Sequence, residues 1–168
     1  MSEIKKLNVA LTYNIKPDVI EGADCDEDEY AEWDTEETIL AVKDALSINH
    51  SVTLIEADIN CYNNLISAKP DIVFNIAEGK KGINREAFVP AICEYLEIPY
   101  TGSDPLTLSS TLHKARTKQI LYYNNIPTPK YKLIENLKQI ETCAEFLPAI
   151  VKPLAEGSSK GIYNSCLV

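Results

Sequence analysis

The sequence lacks any apolar run long enough to cross a membrane, and residues 1–8 lack the apolar core of a secretion signal. Cysteine and histidine are few and scattered, and no Cys-x-x-Cys pair occurs. The residues concerned are Cys25, Cys61, Cys93, Cys143, Cys166, His50 and His113. An odd number of isolated cysteines argues against a disulfide framework, and the spacing argues against a zinc or histidine-based metal cluster. We therefore expect a cytoplasmic protein with no membrane segment and no metal-binding residues in this chain.

Basic residues are absent from one stretch of the chain. Between Asp18 and Glu37 there are 11 acids and no bases, whereas the other residues carry 14 acids and 16 bases. The net charge of −9 therefore reflects one local block, and the remainder can accommodate an anion. No basic stripe or aromatic ladder indicates nucleic-acid binding. The block predicts a surface loop, which either serves solubility alone or forms a lid or a source of carboxylates after the first strand.

The first half of the chain alternates apolar runs typical of strands with helical patterns. Strands are predicted at 7–13, 51–56 and 71–75, a helix from an N-cap at Asp34, and a second helix at 61–69. This β-α-β-α-β order with short links predicts a parallel sheet with helices on its faces.

A further helix is predicted over 85–96, followed by a short fourth strand over 98–101. Ligands of open α/β sheets lie at the carboxyl ends of the strands. The loops after Tyr13, Asn75 and Thr101 should therefore form one rim.

The pattern changes after two further helices, one starting at Ser103-Asp-Pro105 and one over about 113–124. Asn124-Asn125 and the prolines that follow indicate a boundary, which divides the chain into domains 1–125 and 126–168. A strand over 131–134 and a helix over 137–146 are predicted beyond it.

The end of the sequence predicts a hairpin with a small-residue tip. Strands at 149–151 and 162–168 flank Gly157-Ser158-Ser159-Lys160-Gly161, and Lys152 ends the first strand. Glycines permit positive φ angles, and successive N–H groups can form an anion nest. With two lysines nearby, the tip favours a phosphate chain, the alternative being a plain Gly-Ser turn with solvated lysines. It is not a P-loop, because Lys160 precedes the last glycine and a predicted strand follows.

An ordered set of short motifs adds a family resemblance. Its members are Ile98-Pro-Tyr-Thr-Gly-Ser103, Lys114 with Thr117-Lys118, Ile126-Pro-Thr-Pro129, Val151-Lys-Pro153 and Glu156-Gly-Ser-Ser-Lys-Gly161. In this order and spacing they resemble D-alanine–D-alanine ligases of the ATP-grasp superfamily, most clearly over residues 70–168. The resemblance implies a pre-ATP-grasp, Rossmann-like parallel α/β domain followed by the start of an α+β ATP-grasp domain. It also implies that this chain is the N-terminal portion of a longer cytoplasmic enzyme.

The resemblance implies roles for particular residues. Lys114 and Lys152 would contact the phosphates of ATP, and the loop 156–161 would close over them. The loop residues implied in nucleotide binding are Glu156, Gly157, Ser158, Ser159 and Gly161. Ser158 would also lie near the acceptor substrate as a catalytic residue, and Glu32 is the candidate for the catalytic glutamate of the first-strand loop.

The family reaction activates a carboxylate as an acyl phosphate, which an amine then attacks during cell-wall synthesis. ATP and small amino acids would be the ligands, and Mg²⁺ would be held by ligands beyond residue 168. Two departures concern substrate recognition. Glu78-Gly79 stands where family members usually carry His-Gly, and Ile83-Asn84 stands near the place of a substrate-binding glutamate.

Three hypotheses follow. The first is a fragment of an ATP-dependent ligase that forms C–N bonds, with this chain alone inactive. The second is a non-catalytic binding or regulatory module, and the third is an ATP-grasp ligase for other amino acids or peptides. An incomplete cleft also predicts exposed apolar surface on the hairpin, and hence homodimers.

Overall fold

The computed structural model describes residues 5–17 and 29–168, and the first part of the predicted acidic loop, 18–28, lies outside the described residues. Its central element is a parallel sheet in the order β2-β1-β3. The strands are β1 (Asn8–Tyr13), β2 (Ser51–Glu56) and β3 (Ile72–Asn75). Leu11 of β1 is paired with Leu54 on one side and Phe74 on the other. The predicted parallel α/β fold is confirmed.

The central strand β1 is buried on both faces, as its almost continuous apolar sequence predicts. The helices are α1 (Glu36–Ser47), α2 (Cys61–Ala68), α3 (Phe88–Tyr95), α4 (Pro105–Leu112) and α5 (Lys114–Tyr123). Thr35, one residue beyond the predicted Asp34, caps α1, because its hydroxyl accepts a hydrogen bond from Thr38 N at 3.3 Å. None of the helices in the described ranges is long and apolar enough to cross a membrane.

One apolar core lies between the sheet and helices α2 and α3. Its buried members are Ala10, Ile55, Cys61, Leu65, Val73, Ala77, Val89 and Cys93. The predicted helix over 85–96 begins as a 3₁₀ turn, Arg85–Ala87, before α3. This turn places Arg85 at the edge of the core, beside the loop that follows β3.

The predicted fourth strand over 98–101 is wrong as a full strand. Only one parallel bridge forms, between Val73 and Tyr100, supported by bonds from Val73 N to Pro99 O (2.8 Å) and from Thr101 N to Val73 O (3.0 Å). Proline has no N–H to donate, and Gly102 at φ 100° turns the chain away. The pairing of this segment with β3 is therefore limited to a single bridge.

The chain divides into two compact units, Met1–Ser109 and Ser110–Val168. The predicted domain boundary after residue 125, which follows from the change in sequence pattern there, stays a prediction. Within the second unit, α5 confirms the helix predicted over 113–124. His113 caps this helix, because its Nδ1 accepts a hydrogen bond from Arg116 N at 3.2 Å.

Three predictions for the remainder of the second unit, in contrast, are wrong. Residues 131–134 form no strand, and 137–146 form two 3₁₀ segments, Leu137–Thr142 and Ala144–Phe146. The hairpin is reduced to one antiparallel bridge between Ile150 and Leu167, and Asn164–Cys166 is a 3₁₀ turn. A two-stranded ribbon with no further strand beside it is marginal, which explains the short pairing.

Replacing Leu65 by alanine should destabilise the first unit by about 2–5 kcal/mol, because the side chain is fully buried and leaves a cavity. Ile66→Ala is the matched control on the next residue of α2, since Ile66 is 44% exposed. Its cost should be less than about 1 kcal/mol. Urea denaturation followed by circular dichroism measures both, and equal losses would contradict the described core.

Candidate functional site

The loop 156–161 of the second unit has a backbone suited to an anion. Ser158, Ser159 and Gly161 adopt positive φ angles of 45°, 62° and 69°. A Cβ atom on Gly161 would lie 2.8 Å from Pro153 Cγ, so glycine is required there for both angle and space. The left-handed conformation costs each serine roughly 1–2 kcal/mol. Such strain is typical of functional loops, and consecutive N–H groups in this conformation can converge on a bound anion.

Lys114 ties helix α5 to this loop. Its backbone N–H donates to Leu154 O at 3.0 Å, and its Nζ donates to the carbonyl oxygen of Glu156. Lys160 Nζ lies 3.6 Å from Glu156 Oε2, and both side chains are partly exposed. Two lysine ammonium groups therefore lie beside the loop: helix α5 contributes Lys114, and the loop itself contributes Lys160.

Lys152 lies two residues before Leu154, whose carbonyl accepts the bond from α5, and it is exposed. Ser158 and Ser159 are also exposed. The structure thus brings Lys114 and the loop 156–161 into contact and leaves Lys152 accessible at the entry to the loop. The nucleotide-binding roles of these residues and the catalytic role of Ser158 stay predictions.

A second candidate region is the carboxyl edge of the sheet in the first unit. Gly79 N donates to Asn14 Oδ1 at 2.7 Å, and Asn14 Nδ2 donates to Ala57 O at 3.3 Å. Asn75 N donates to Thr101 Oγ1 at 3.1 Å. The loops after β1, β2 and β3 and the segment at Thr101 therefore meet, which confirms the predicted rim.

Gly79 is the tightest point of this rim. Its φ angle is 78°, and a Cβ atom would lie only 2.4 Å from Arg85 O. Trp33 Nε1 donates to Gly79 O at 3.0 Å, and the Trp33 ring contacts Tyr30 edge-to-face with centroids 4.9 Å apart. Only glycine fits here, so the backbone of the loop after β3 is fixed.

A buried ion pair lies beside Gly79. Arg85 Nη2 is 2.6 Å from Glu32 Oε2, and each side chain is 5% exposed. The structure places the predicted candidate Glu32 at the rim, and its catalytic role stays a prediction. Sequence reasoning missed its partner Arg85 and the bracing residues Asn14 and Trp33, although the single tryptophan of the chain next to Glu32 was an available signal.

Glu78 is a carboxyl group of this rim with a strongly shifted pKa. Burial raises its pKa from 4.5 to about 7; the carboxylates of Glu86, Glu32 and Asp34 add to the rise, and Arg85 opposes it. This carboxyl group therefore changes charge near neutral pH, which is unusual for glutamate.

An apolar cleft of about 910 Å³ opens next to the rim, within the first unit. It lies between the start of α2 and helix α3. Its wall includes Ile59, Tyr62, Gly79, Arg85, Phe88 and Tyr95. A volume of this size can hold a small molecule.

Among residues 5–17 and 29–168, no group of three or more His, Cys, Asp or Glu side chains could hold a metal ion. The described residues therefore provide no cluster of three or more side chains that could bind the implied Mg²⁺ by themselves.

Comparisons with known proteins agree with this fold. No protein-family model matches the chain. It is 35% identical over 128 residues to the D-alanine–D-alanine ligase of Pelagibacter ubique, covering 72% of this chain and 41% of the relative. It is 36% identical over 124 residues to the ligase of Aquifex aeolicus, covering 73% and 42%. The chain thus spans less than half the length of these curated relatives.

Solved structures show the same fold. The D-alanine–D-alanine ligase of Bacillus anthracis matches with a TM-score of 0.60 at 24% identity, over 89% of this chain and 46% of that chain. A structure of that ligase complexed with ATP matches with a TM-score of 0.53 at 20% identity, over 90% and 48%. The D-alanyl-alanine synthetase A of Vibrio cholerae matches with a TM-score of 0.62 at 18% identity, over 95% and 52%.

The parallel sheet shows an α/β fold, and the matches to D-alanine–D-alanine ligases indicate a protein of the ATP-grasp type. Within that class it is a D-alanine–D-alanine ligase-like chain, similar to part of such a ligase.

The raised pKa of Glu78 predicts a pH-dependent stability. The folded state keeps the proton that the unfolded state loses above pH 4.5, so this stabilisation is complete below pH 4.5 and is lost as the pH rises through about 7. Glu78→Gln should therefore match the unmodified protein near pH 4 and exceed its stability at pH 8 by about 1 kcal/mol, after allowance for solvent screening.

Urea denaturation at several pH values measures this difference. Glu141→Gln, which removes an exposed carboxyl group from the second unit, is the control for the loss of one charge. If the difference in the free energy of unfolding between Glu78→Gln and the unmodified protein stayed constant from pH 4 to pH 8, this would contradict the raised pKa of Glu78.

Proposed function

We propose that the chain is part of an ATP-dependent carboxylate–amine ligase that resembles D-alanine–D-alanine ligase and acts through an acyl phosphate. The observation that carries the proposal is the loop 156–161, with three residues at positive φ and the Lys114 ammonium bonded to its first carbonyl. The curated relatives are named as such ligases, and the Bacillus anthracis complex with ATP supports ATP as the nucleotide.

The loop and its lysines would bind the phosphates of ATP. Backbone N–H groups at Ser158 and Ser159 offer hydrogen bonds without a side-chain entropy cost, and Lys114 and Lys152 offer positive charge. Glu156 and Gly161 shape the two ends of the loop, the first through its carbonyl bond to Lys114 and the second through its φ of 69°. Mg²⁺ would neutralise phosphate charge when bound, and the described residues hold no cluster of three or more side chains that could bind it by themselves.

The proposed reaction has two steps. A substrate carboxylate oxygen attacks the γ-phosphorus of ATP and ADP leaves, which produces an acyl phosphate. The unprotonated amino group of a second amino acid then attacks the acyl carbon, inorganic phosphate leaves, and the nitrogen releases a proton as the C–N bond of the amide forms. Lys114 and Lys152 would stabilise the negative charge during phosphoryl transfer. Glu32 would bind the substrate ammonium group at the rim, and Ser158 would lie beside the acceptor.

The amino-acid substrate is a separate question from the reaction. Glu78 is an acid with a pKa of about 7 at the rim, where ligases of the family usually carry histidine. This difference favours a ligase for amino acids or peptides other than D-alanine as the second candidate function. Profiling the full-length protein with ATP and a panel of amino acids separates the two candidates, since the preferred substrate gives the higher kcat/KM.

Binding of a non-hydrolysable ATP analogue tests the nucleotide site directly. In the full-length protein, Lys114→Ala and Lys152→Ala should each weaken binding by about tenfold or more, because each removes a positive charge next to the phosphates. Lys138→Ala, which removes an exposed lysine elsewhere in the same unit, should leave the dissociation constant unchanged. Titration calorimetry measures all three, and equal binding by every variant would contradict the proposed site.

The 168-residue chain alone should show no ATP-dependent ligation, because it spans only 41% of the length of its ligase relative from Pelagibacter ubique. Phosphate release with amino acids present measures this, with the full-length protein as the positive control. Turnover by the short chain would contradict the expectation. Absence of turnover by both proteins would favour the non-catalytic binding or regulatory module.

Exposed apolar side chains around the Ile150–Leu167 bridge also support the predicted self-association. Ile150, Val151, Leu167 and Val168 are each at least half exposed. Apolar side chains grouped in this way favour contact with a second molecule. Homodimer formation stays a proposal.

A further inference from the structure

The ion pair between Glu32 and Arg85 connects two loops that are distant in sequence. Glu32 lies in the turn before α1, and Arg85 begins the 3₁₀ turn before α3. Their 2.6 Å contact is almost completely shielded from water. Removing two charges from water is costly, and a pair this deep persists only with good geometry and further support.

That support comes from both loops. Asn14 Oδ1 accepts from Gly79 N, Trp33 Nε1 donates to Gly79 O, and Arg85 O leaves no room for a side chain on Gly79. Trp33 is adjacent to Glu32 in sequence, so the backbone on each side of the ion pair is fixed. The carboxylate of Glu32 consequently has one well-defined position at the carboxyl edge of the sheet.

The charge around the pair gives Arg85 a second role. Glu78, Glu86 and Asp34 are further acids of this rim, and the Arg85 guanidinium opposes the effect of Glu86, Glu32 and Asp34 on the pKa of Glu78. Without Arg85, like charges would repel Glu32 from the rim. The Arg85 guanidinium thus holds Glu32 in place and offsets part of the negative charge.

We propose that Arg85 is a positioning residue, whose guanidinium holds the Glu32 carboxylate at the carboxyl edge to receive the ammonium group of the amino acid whose carboxylate is activated, called here the amino substrate. The proposal rests on the proposed ligase function and extends it to a residue for which that function gave no role. Arg85 acts through Glu32 and does not itself contact the reacting atoms.

A purely structural role for the ion pair predicts a different result when the two charges are exchanged. Exchanging the charges, Glu32→Arg with Arg85→Glu, recreates the pair between the same two loops and should recover stability. It moves the carboxylate to the other loop, so substrate binding should not recover. The exchange therefore separates the placement of the carboxylate from the joining of the loops.

The experiment uses the full-length protein with ATP, and with D-alanine and a panel of other amino acids as probes. Four variants are compared: Arg85→Gln, Arg85→Lys, the double exchange, and Lys81→Gln as a control for an exposed cation of the neighbouring loop. Circular dichroism and urea denaturation establish that each variant is folded. Steady-state kinetics then give KM for ATP, KM for the amino substrate, and kcat.

Arg85→Gln should raise KM for the amino substrate by about tenfold or more and leave KM for ATP unchanged. Arg85→Lys should recover part of this loss, because it keeps the charge but not the planar geometry of the guanidinium. The double exchange should recover the urea midpoint without recovering KM, and Lys81→Gln should match the unmodified protein.

Two results would overturn the inference while leaving the ligase function intact. One is an unchanged KM for the amino substrate in both Arg85→Gln and Arg85→Lys. The other is recovery of both stability and KM by the double exchange, which would make the pair purely structural. Absence of turnover by the unmodified protein with every amino acid would reject the proposed function, and the inference with it.

Discussion

The hydrogen bond from Gly79 N to Asn14 Oδ1 holds together the carboxyl edge on which the first unit depends. It is buried and 2.7 Å long, and it joins the loop after the central strand to the loop after its neighbour. A buried amide and a buried carbonyl oxygen must find partners, so neither loop can move away without leaving one of them unsatisfied. The positions of Trp33, Glu32 and Arg85 follow from this connection, because all three contact or adjoin the Gly79 segment.

Local sequence patterns were sufficient to predict the sheet. The strands 8–13, 51–56 and 72–75 are short apolar runs separated by amphipathic helices, and each signal is contained in adjacent residues. The parallel order then places the strand ends at one edge, so the rim could be inferred without knowledge of any side-chain contact. The three hydrogen-bonded loops of that rim agree with the inference.

Contacts between distant residues could not be predicted in this way. Arg85 is 53 residues from Glu32, and nothing near either residue indicates that the two side chains become buried together. The strand prediction over 131–134 in the second unit was wrong for a related reason. Tyr131, Leu133 and Ile134 have strand-like side chains, but all three are more than a third exposed and no strand covers them. Strand propensity depends on such neighbours more than on the residues themselves.

The bond from Lys114 Nζ to the Glu156 carbonyl changes what this lysine can do. A lysine side chain normally rotates about four carbon bonds and loses much conformational entropy when it binds an anion. Here that ordering has already taken place during folding, and one N–H direction of the tetrahedral ammonium is fixed by the main chain. The terminal group is therefore less free than that of a lysine without such a bond, and it would need less ordering on contact with an anion.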